Sequence, residues 1–241
     1  HAKLRARLSK TIPHETFTRM IEAGDITEAL QYIKGTPYEN VLQIYSNTGD
    51  IKMGELELFS KEIQLHLEIL SYVEDEVKDF LTALGLRYEI EVLKDAFRFW
   101  FDRAIRGRGI ETSVPYLYRG PLLHSLDVNA IVYAESATEL EQVFENTFYA
   151  QTVSTTLPRV EKQGSLFPLE HQLETLYYKN LQEQSEKLSR KDKAIAQKII
   201  GIRIDLENIN RIVRFVRFAG TEKTDVHRLL ISGGQYLAQE T

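Results

Sequence analysis

Residues 87–100 read RYEIEVLKDAFRFW, and residues 203–216, 116 positions later, read RIDLENINRIVRFV. Both segments carry apolar residues at alternating spacings of four and three, which places them on one face of a helix. We therefore predict two long amphipathic helices that pack in equivalent ways. The two stripes are Leu86, Ile90, Leu93, Phe97 and Trp100, and Ile202, Leu206, Ile209, Val213 and Val216.

A second pair of matching segments lies upstream of each long helix. Residues 26–38 read ITEALQYIKGTPY and residues 137–149 read ATELEQVFENTFY, with five identities at a shift of 111. Two matches in the same order and at nearly the same shift indicate an internal duplication. We predict a first helical unit at 1–120, a second at 121–235, and the start of a third at 236–241. Turns at Gly120-Pro121 and Gly233-Gly234 close the first two units.

The remaining chain is also typical of helices, since Gly and Pro are sparse and strand signals are few. We therefore predict an all-α fold of quasi-repeated helical bundles. The predicted helices cover residues 14–23, 26–35, 38–46, 54–72, 74–84, 86–105, 127–134, 137–146, 166–188, 190–218 and 224–230.

The composition excludes several classes of function. The formal net charge of −5 argues against a nucleic-acid binder and against direct adsorption to anionic lipid, because both require clustered positive charge. The chain has no cysteine, which suits a reducing cytoplasm. No run approaches the roughly 20 apolar residues of a membrane span. The chain opens at His1 without a Met, so we expect either a fragment or a chain whose N-terminus lies upstream.

Motifs for chemistry are missing from the sequence. Phosphate-binding loops, paired metal ligands and a nucleophile elbow are all absent, so we predict no catalytic residue, cofactor or metal. Glu89 and Asp205 occupy equivalent positions within strongly apolar helices. They are interpreted as a polar flank or an inter-helix hydrogen bond, and a catalytic pair is the alternative.

Two groups of arginines form local basic patches in this acidic chain. Basic residues near a helix C-terminus also complement the helix dipole, which explains Arg103 and Arg217 without a function. The alternative is contact with an acidic protein partner. The candidate contact residues are Arg103, Arg106, Arg108, Arg119, Arg203, Arg211, Arg214 and Arg217.

Several motifs resemble the C subunit of the V-type and A-type rotary ATPases, which is called d in eukaryotes. The resemblance spans residues 2–241, and its motifs are loose singly but specific in their order and spacing. Glu89 and Val92 depart from the family pattern, which favours Asp and Asn at these positions. The matching motifs are Lys3–Ser9, Tyr32–Tyr38, Gly164–Phe167, Leu169-Glu170, Tyr177-Tyr178, Asp205–Ile209, Arg214 and Gly233–Leu237.

The resemblance implies a non-catalytic rotor subunit of the central stalk. Family members have three helical units around a pseudo-threefold axis and form a funnel. One end of the funnel holds the central shaft, and the other sits on the membrane ring that carries H⁺ or Na⁺. The funnel thereby transmits torque between ion transport and ATP synthesis or hydrolysis. We expect a cytoplasmic protein, peripheral to the membrane through the complex, without its third unit; its ion and working direction stay open.

Two interpretations of other classes remain. A helical scaffold or adaptor unrelated to ATPases would also show a repeat, but its period is usually 30–50 residues. A helical enzyme, such as a carboxylate-based hydrolase, would require a dispersed catalytic site.

Overall fold

Helices form the regular structure of the residues that the computed structural model describes, which are 2–214 and 229–237. No β-strand occurs among these residues, so the predicted all-α class is confirmed. The helices are α1 (Ala2–Leu8), α2 (His14–Glu22), α3 (Ile26–Gln31), α4 (Glu39–Thr48), α5 (Ile51–Leu70), α6 (Asp75–Trp100), α7 (Val128–Tyr133), α8 (Ala137–Phe144), α9 (Ala150–Gln163), α10 (Phe167–Glu186) and α11 (Arg190–Arg214). The predicted helix at 224–230 lies almost entirely outside the described residues.

The first compact unit comprises His1–Tyr72 and Glu111–Gly120. Its helix pairs are α2 with α3, α3 with α4, and α4 with α5. Leu30, Ile33, Val41 and Leu42 form a buried apolar cluster in this unit. A short 3₁₀ turn, Val114–Tyr116, packs against α5.

The second compact unit comprises Val73–Ile110 and Pro121–Thr241. Here α10 packs against α6, α9 and α11, and α6 also packs against α7. By spatial packing, α6 therefore belongs with the later helices, whereas the sequence repeat assigns it to the predicted unit 1–120. The boundary between the repeats near residue 120 rests on sequence matches alone and stays a prediction.

The long helix α6 is continuous where the sequence predicted two helices, 74–84 and 86–105. Gly85 lies in its interior and is buried. An interior glycine costs about 1 kcal/mol relative to alanine. The buried face of Leu86, Leu93 and Trp100 on the same helix outweighs that cost. The helix ends in a π-helical turn, Phe101–Ile105.

Helix α9 (Ala150–Gln163) occupies most of the stretch 147–165, where the sequence predicted no helix. The threonines and Pro158 of this segment disfavour a helix, and Pro158 stands inside it. However, Val153, Leu157 and Val160 are fully buried at helical spacing. Burial of this face therefore overrides local propensity, and the absence of a predicted helix was wrong for residues 150–163.

The two matching upstream segments share their turn geometry. Thr36 Oγ1 donates to Ile33 O at 2.6 Å and accepts from Tyr38 N–H at 3.2 Å. Thr147 makes the same pair of bonds, to Phe144 O at 2.7 Å and from Tyr149 N–H at 3.2 Å. Gly35 and Asn146, also at equivalent positions, both have positive φ. Tyr38 and Tyr149 thus occupy the same local position.

The two apolar stripes differ in burial. On α6, Leu93 is 0% exposed and the rest of the stripe is also buried. On α11, the equivalent residue Ile209 is 46% exposed, and Leu206 and Val213 are similarly open. The expected equivalent packing is therefore not present in the described residues. Val216 lies outside them.

Candidate functional site

A buried carboxylate on α6 organises the start of the second repeat. Glu89 is 1% exposed, although nearly all side chains of its type lie at protein surfaces. Its Oε2 accepts from His124 N–H at 2.8 Å, and its Oε1 lies 2.6 Å from His124 Nδ1. Tyr149 Oη also donates to Glu89 Oε1 at 2.6 Å. These three contacts fix the segment after Pro121 and the Tyr149 turn against α6.

The equivalent carboxylate on α11 holds the next segment in a similar way. Asp205 accepts the backbone N–H groups of Gln235, Tyr236 and Leu237 at 3.0, 2.8 and 3.1 Å. A Cβ atom at Gly234 would overlap Asp205 Oδ1, so only glycine allows the chain to approach this closely. Glu89 and Asp205 therefore both bind the segment that follows their repeat.

One turn further along α11, Asn208 also binds the backbone of the following segment. Its side-chain amide donates to Ile231 O at 2.9 Å and accepts from Ile231 N–H at 2.8 Å. The equivalent residue on α6 is Val92, which is buried and offers no polar group. Because Val92 stands where the family pattern favours Asn, α6 lacks the pair of backbone hydrogen bonds that Asn208 makes on α11.

Aromatic rings surround the Glu89 contact. His124 stacks on Phe148 with ring centroids 5.4 Å apart, and Tyr149 meets both rings edge-on. Burial, followed by the nearby Glu89 charge, raises the pKa of the Tyr149 hydroxyl above its usual value. The hydroxyl therefore stays protonated and remains a hydrogen-bond donor. The arrangement is suited to holding the chain rather than to proton transfer.

A charged network links α6, α10 and α11. Glu174 on α10 forms ion pairs with Lys94 of α6 and Arg211 of α11. Burial alone would lower the pKa of Lys94, but the Glu174 carboxylate raises it above its ordinary value. Arg98 Nε adds a bond from α6 to Glu170 at 2.9 Å. Because each charged side chain has few alternative partners nearby, these ion pairs favour one alignment of the three helices.

His171 of α10 lies beside this network and is neutral at physiological pH. Burial, together with the adjacent Arg211 guanidinium, lowers its pKa. Arg211 Nη1 contacts His171 Nδ1, which must then act as the acceptor because a guanidinium only donates. The same guanidinium nitrogen donates to Leu229 O at 2.7 Å, so Arg211 also holds the chain beyond α11.

Three predicted partner-contact arginines have roles inside the molecule. Arg211 is buried within the network just described. Arg103 donates to Val132 O and Ala134 O, where it satisfies carbonyls at the C-terminal end of α7. Arg119 donates to Val114 O at 3.1 Å and Leu117 O at 3.2 Å. Contact of these three arginines with a partner stays a prediction.

The other predicted arginines are more accessible or are not described. Arg106 and Arg108 both pair with Asp102, at 3.1 and 3.5 Å, and their side chains are 45% and 64% exposed. Arg203 lines an apolar groove of about 300 Å³. The side chain of Arg214 is not described, and Arg217 lies outside the described residues.

The described part of the chain offers neither a metal cluster nor a membrane-spanning helix. Within residues 2–214 and 229–237, no group of three or more His, Asp or Glu side chains is placed to hold a metal ion. None of the helices described there has the length and apolarity that crossing a bilayer requires.

Comparison with known proteins identifies the family. The sequence model described as "ATP synthase (C/AC39) subunit" matches residues 1–241. The chain belongs to this family. The scaffold unrelated to ATPases that the sequence left open is therefore not supported. Membership also agrees with the all-helical structure of the described residues.

Curated relatives of this C/AC39 protein are named as the C subunit of an A-type ATP synthase. The protein from Methanobrevibacter smithii is 25% identical over 225 residues, covering 88% of this chain and 53% of the relative. The protein from Methanosarcina acetivorans is 25% identical over 255 residues, covering 99% of this chain and 64% of the relative. A third, from Methanosarcina mazei, is 21% identical over 244 residues, covering 99% of this chain and 64% of the relative. The chain therefore spans less than two thirds of the length of these relatives.

Proposed function

We propose that this chain is part of a non-catalytic rotor subunit that joins the central shaft of an A-type or V-type ATPase to its membrane ion-carrying ring. The observation that carries this proposal is the family match over residues 1–241. The names of the relatives, each a C subunit of an A-type ATP synthase, support it further.

The internal bonding of the second compact unit suits a torque-transmitting role. A coupling protein must resist deformation when one end is turned against the other. Ion pairs at Lys94, Glu174 and Arg211 tie three long helices together, and Glu89 and Asp205 tie the intervening segments to those helices. These cross-links oppose sliding of one helix past another.

The exposed stripe on α11 fits a larger assembly. Leu206, Ile209 and Val213 form an apolar row, and contiguous apolar surface usually marks a contact. The matched relatives are longer than this chain. We propose that a third helical repeat covers this row and that the repeats together surround a pseudo-threefold axis in a funnel.

The position in the cell follows from the same proposal. With a net charge of −5, the chain would reach the membrane through the ring and not through anionic lipid. We place it in the cytoplasm, peripheral to the membrane through the complex. H⁺ and Na⁺ coupling, and synthesis and hydrolysis, are all compatible with this role.

Arg106 and Arg108, just after α6, are the exposed arginines at which a partner contact can be tested. We expect Arg106→Glu with Arg108→Glu to weaken binding to the purified shaft or ring about tenfold, because reversed charges repel an acidic partner surface. Affinity is measured by surface plasmon resonance against each partner of the cognate ATPase.

The matched control reverses two exposed lysines elsewhere, Lys162→Glu with Lys179→Glu, and so makes the same change in net charge. Its affinity should stay near wild type. Equal weakening by both double variants, or by neither, would contradict a specific contact at Arg106 and Arg108.

A further inference from the structure

Three side chains of α11 hold the segment Leu229–Leu237, called here the post-α11 segment, against that helix. Asp205 accepts three backbone N–H groups at the far end of the segment. Asn208 bonds the N–H and the carbonyl of one residue nearer its start. Arg211 Nη1 donates to the carbonyl of Leu229 at 2.7 Å. The segment is therefore attached to α11 at three successive points.

The attachment at Arg211 depends on a neighbouring group that titrates. Arg211 Nη1, the nitrogen that donates to Leu229 O, also contacts Nδ1 of His171 on α10. A guanidinium group has only donors, so this imidazole nitrogen must be unprotonated in order to accept the bond. Phe167 stacks on the imidazole with ring centroids 5.7 Å apart, which restrains the ring in this orientation. The contact therefore requires a neutral His171.

Protonation of His171 would change this contact from attraction to repulsion. Nδ1 would then carry a hydrogen that points at the N–H groups of Arg211, and two positive charges would lie side by side. Arg211 is 5% exposed, so water screens little of the repulsion between them. Movement of the guanidinium away from the imidazolium would break its bond to the Leu229 carbonyl.

The charges around His171 make its protonation unfavourable overall. Burial, and then the Arg211 guanidinium, lowers the pKa of the imidazole, and Arg159 of α9 acts in the same direction. Glu174 on α10 favours the charged imidazole, but its carboxylate also pairs with Lys94 and Arg211. Two further carboxylates of the packed helices are paired as well: Glu170 of α10 with Arg98 of α6, and Glu207 of α11 with Arg211.

The lowered pKa of His171 sets the direction of the pH effect. An imidazole outside these surroundings titrates near pH 6.5, so the chain takes up this proton more readily once the contact is broken. The stability that the contact contributes is therefore fully present above about pH 6.5. It is lost as the pH falls through the lowered pKa of the folded protein.

We propose that His171 makes the attachment of the post-α11 segment pH-dependent, because a proton on its ring displaces Arg211 and frees the carbonyl of Leu229. The release begins at the Leu229 end of the segment, since Asn208 has no titratable group. The equivalent of Arg211 on α6, 116 positions earlier, is Asp95, so α6 lacks this device. The proposal concerns contacts within the chain and goes beyond the rotor role, on which it does not rest.

Hydrogen–deuterium exchange with mass spectrometry tests this proposal on the 241-residue chain at pH 7.5 and pH 5.5. Wild type is compared with His171→Gln, because glutamine offers Arg211 an acceptor at both pH values. Comparison of the two chains at one pH cancels the intrinsic pH dependence of exchange. We expect similar exchange of peptides covering residues 229–237 at pH 7.5. At pH 5.5 the wild type should exchange about tenfold faster, because it loses a hydrogen bond from a charged group.

The matched control is His14→Gln, which removes an exposed histidine from α2 and should exchange like the wild type at both pH values. Circular dichroism shows whether each variant is folded. Equal exchange of residues 229–237 in wild type and His171→Gln at pH 5.5 would overturn the proposal.

A second measurement needs no variant of His171. In an NMR titration of the wild-type chain, we expect the imidazole signals of His171 and the amide signals of residues 229–237 to shift with one midpoint, below pH 6.5. Amide signals that stay constant while His171 titrates would show that the segment is held independently of this ring, and the proposal would be wrong.

Discussion

At the scale of single residues, the molecule uses buried carboxylates as acceptors for the segments that follow its long helices. Glu89 and Asp205 were predictable as a pair, since they stand 116 positions apart in matching sequence. The sequence suggested a polar flank or an inter-helix hydrogen bond for them, whereas both are buried and bond mainly to backbone N–H groups and to a tyrosine in the segments that follow. Such partners lie 30 to 60 residues away in sequence, so helical periodicity alone cannot identify them.

We expect Glu89→Gln to lower the free energy of unfolding by about 2 kcal/mol, because an amide cannot accept all three hydrogen bonds and leaves buried donors poorly paired. The measurement is urea unfolding followed by circular dichroism. The control is Glu91→Gln on the same helix, which weakens the contact of an exposed carboxylate with Lys94 but leaves the Lys94–Glu174 ion pair, and should cost less than about 1 kcal/mol. Similar losses for the two variants would mean that the Glu89 contacts add little stability.

The charged network shows where prediction from sequence stops. Arg211 belonged to a plausible surface patch by sequence, yet it is buried against Glu174 and His171. Lys94 and Glu174 are 80 residues apart, and neither stands out in its own segment. Long-range pairing of this kind depends on how α6, α10 and α11 align, which local patterns do not determine.

At the scale of helices, the pattern of apolar residues predicted most elements. The prediction failed where the local sequence disfavours a helix but the buried side chains stabilise one. No helix was predicted at 147–165, where threonines and Pro158 disfavour one, although the buried face of Val153 and Leu157 supports α9 as far as Gln163. Gly85 similarly suggested a boundary within the continuous α6. The short α1 was not predicted at all. Tertiary packing decides each of these cases, and packing partners are not visible in one segment.

The matched stripes on α6 and α11 give a direct comparison at this scale. We expect Leu93→Ala to lower the free energy of unfolding by about 2–5 kcal/mol, because it empties fully buried volume. The equivalent change Ile209→Ala removes a side chain that is 46% exposed, and should cost less than about 1 kcal/mol. Both are measured by urea unfolding of the 241-residue chain. Equal costs would show that the α11 stripe is covered in solution.

At the scale of the whole molecule, family membership connects these contacts to a function. The sequence motifs resemble those of the C subunit of rotary ATPases, and the family match over residues 1–241 shows this relationship. The number of repeats, the funnel and the partner surfaces remain proposals, because the chain spans 53% and 64% of the first two relatives. The proposed rotor role would require a body that resists deformation, and the ion pairs that link α6, α10 and α11 in the second compact unit would contribute to such resistance.

The most direct measurement is affinity purification from solubilised native membranes, with mass spectrometry of the proteins retained. A tagged form of this chain is compared with a tagged form extended to the full reading frame. We expect the extended form to retain both shaft and ring proteins of the ATPase, since the proposed role requires a grip at each end. If neither form retains a protein of the ATPase, the chain does not join shaft to ring, and the proposed function is contradicted.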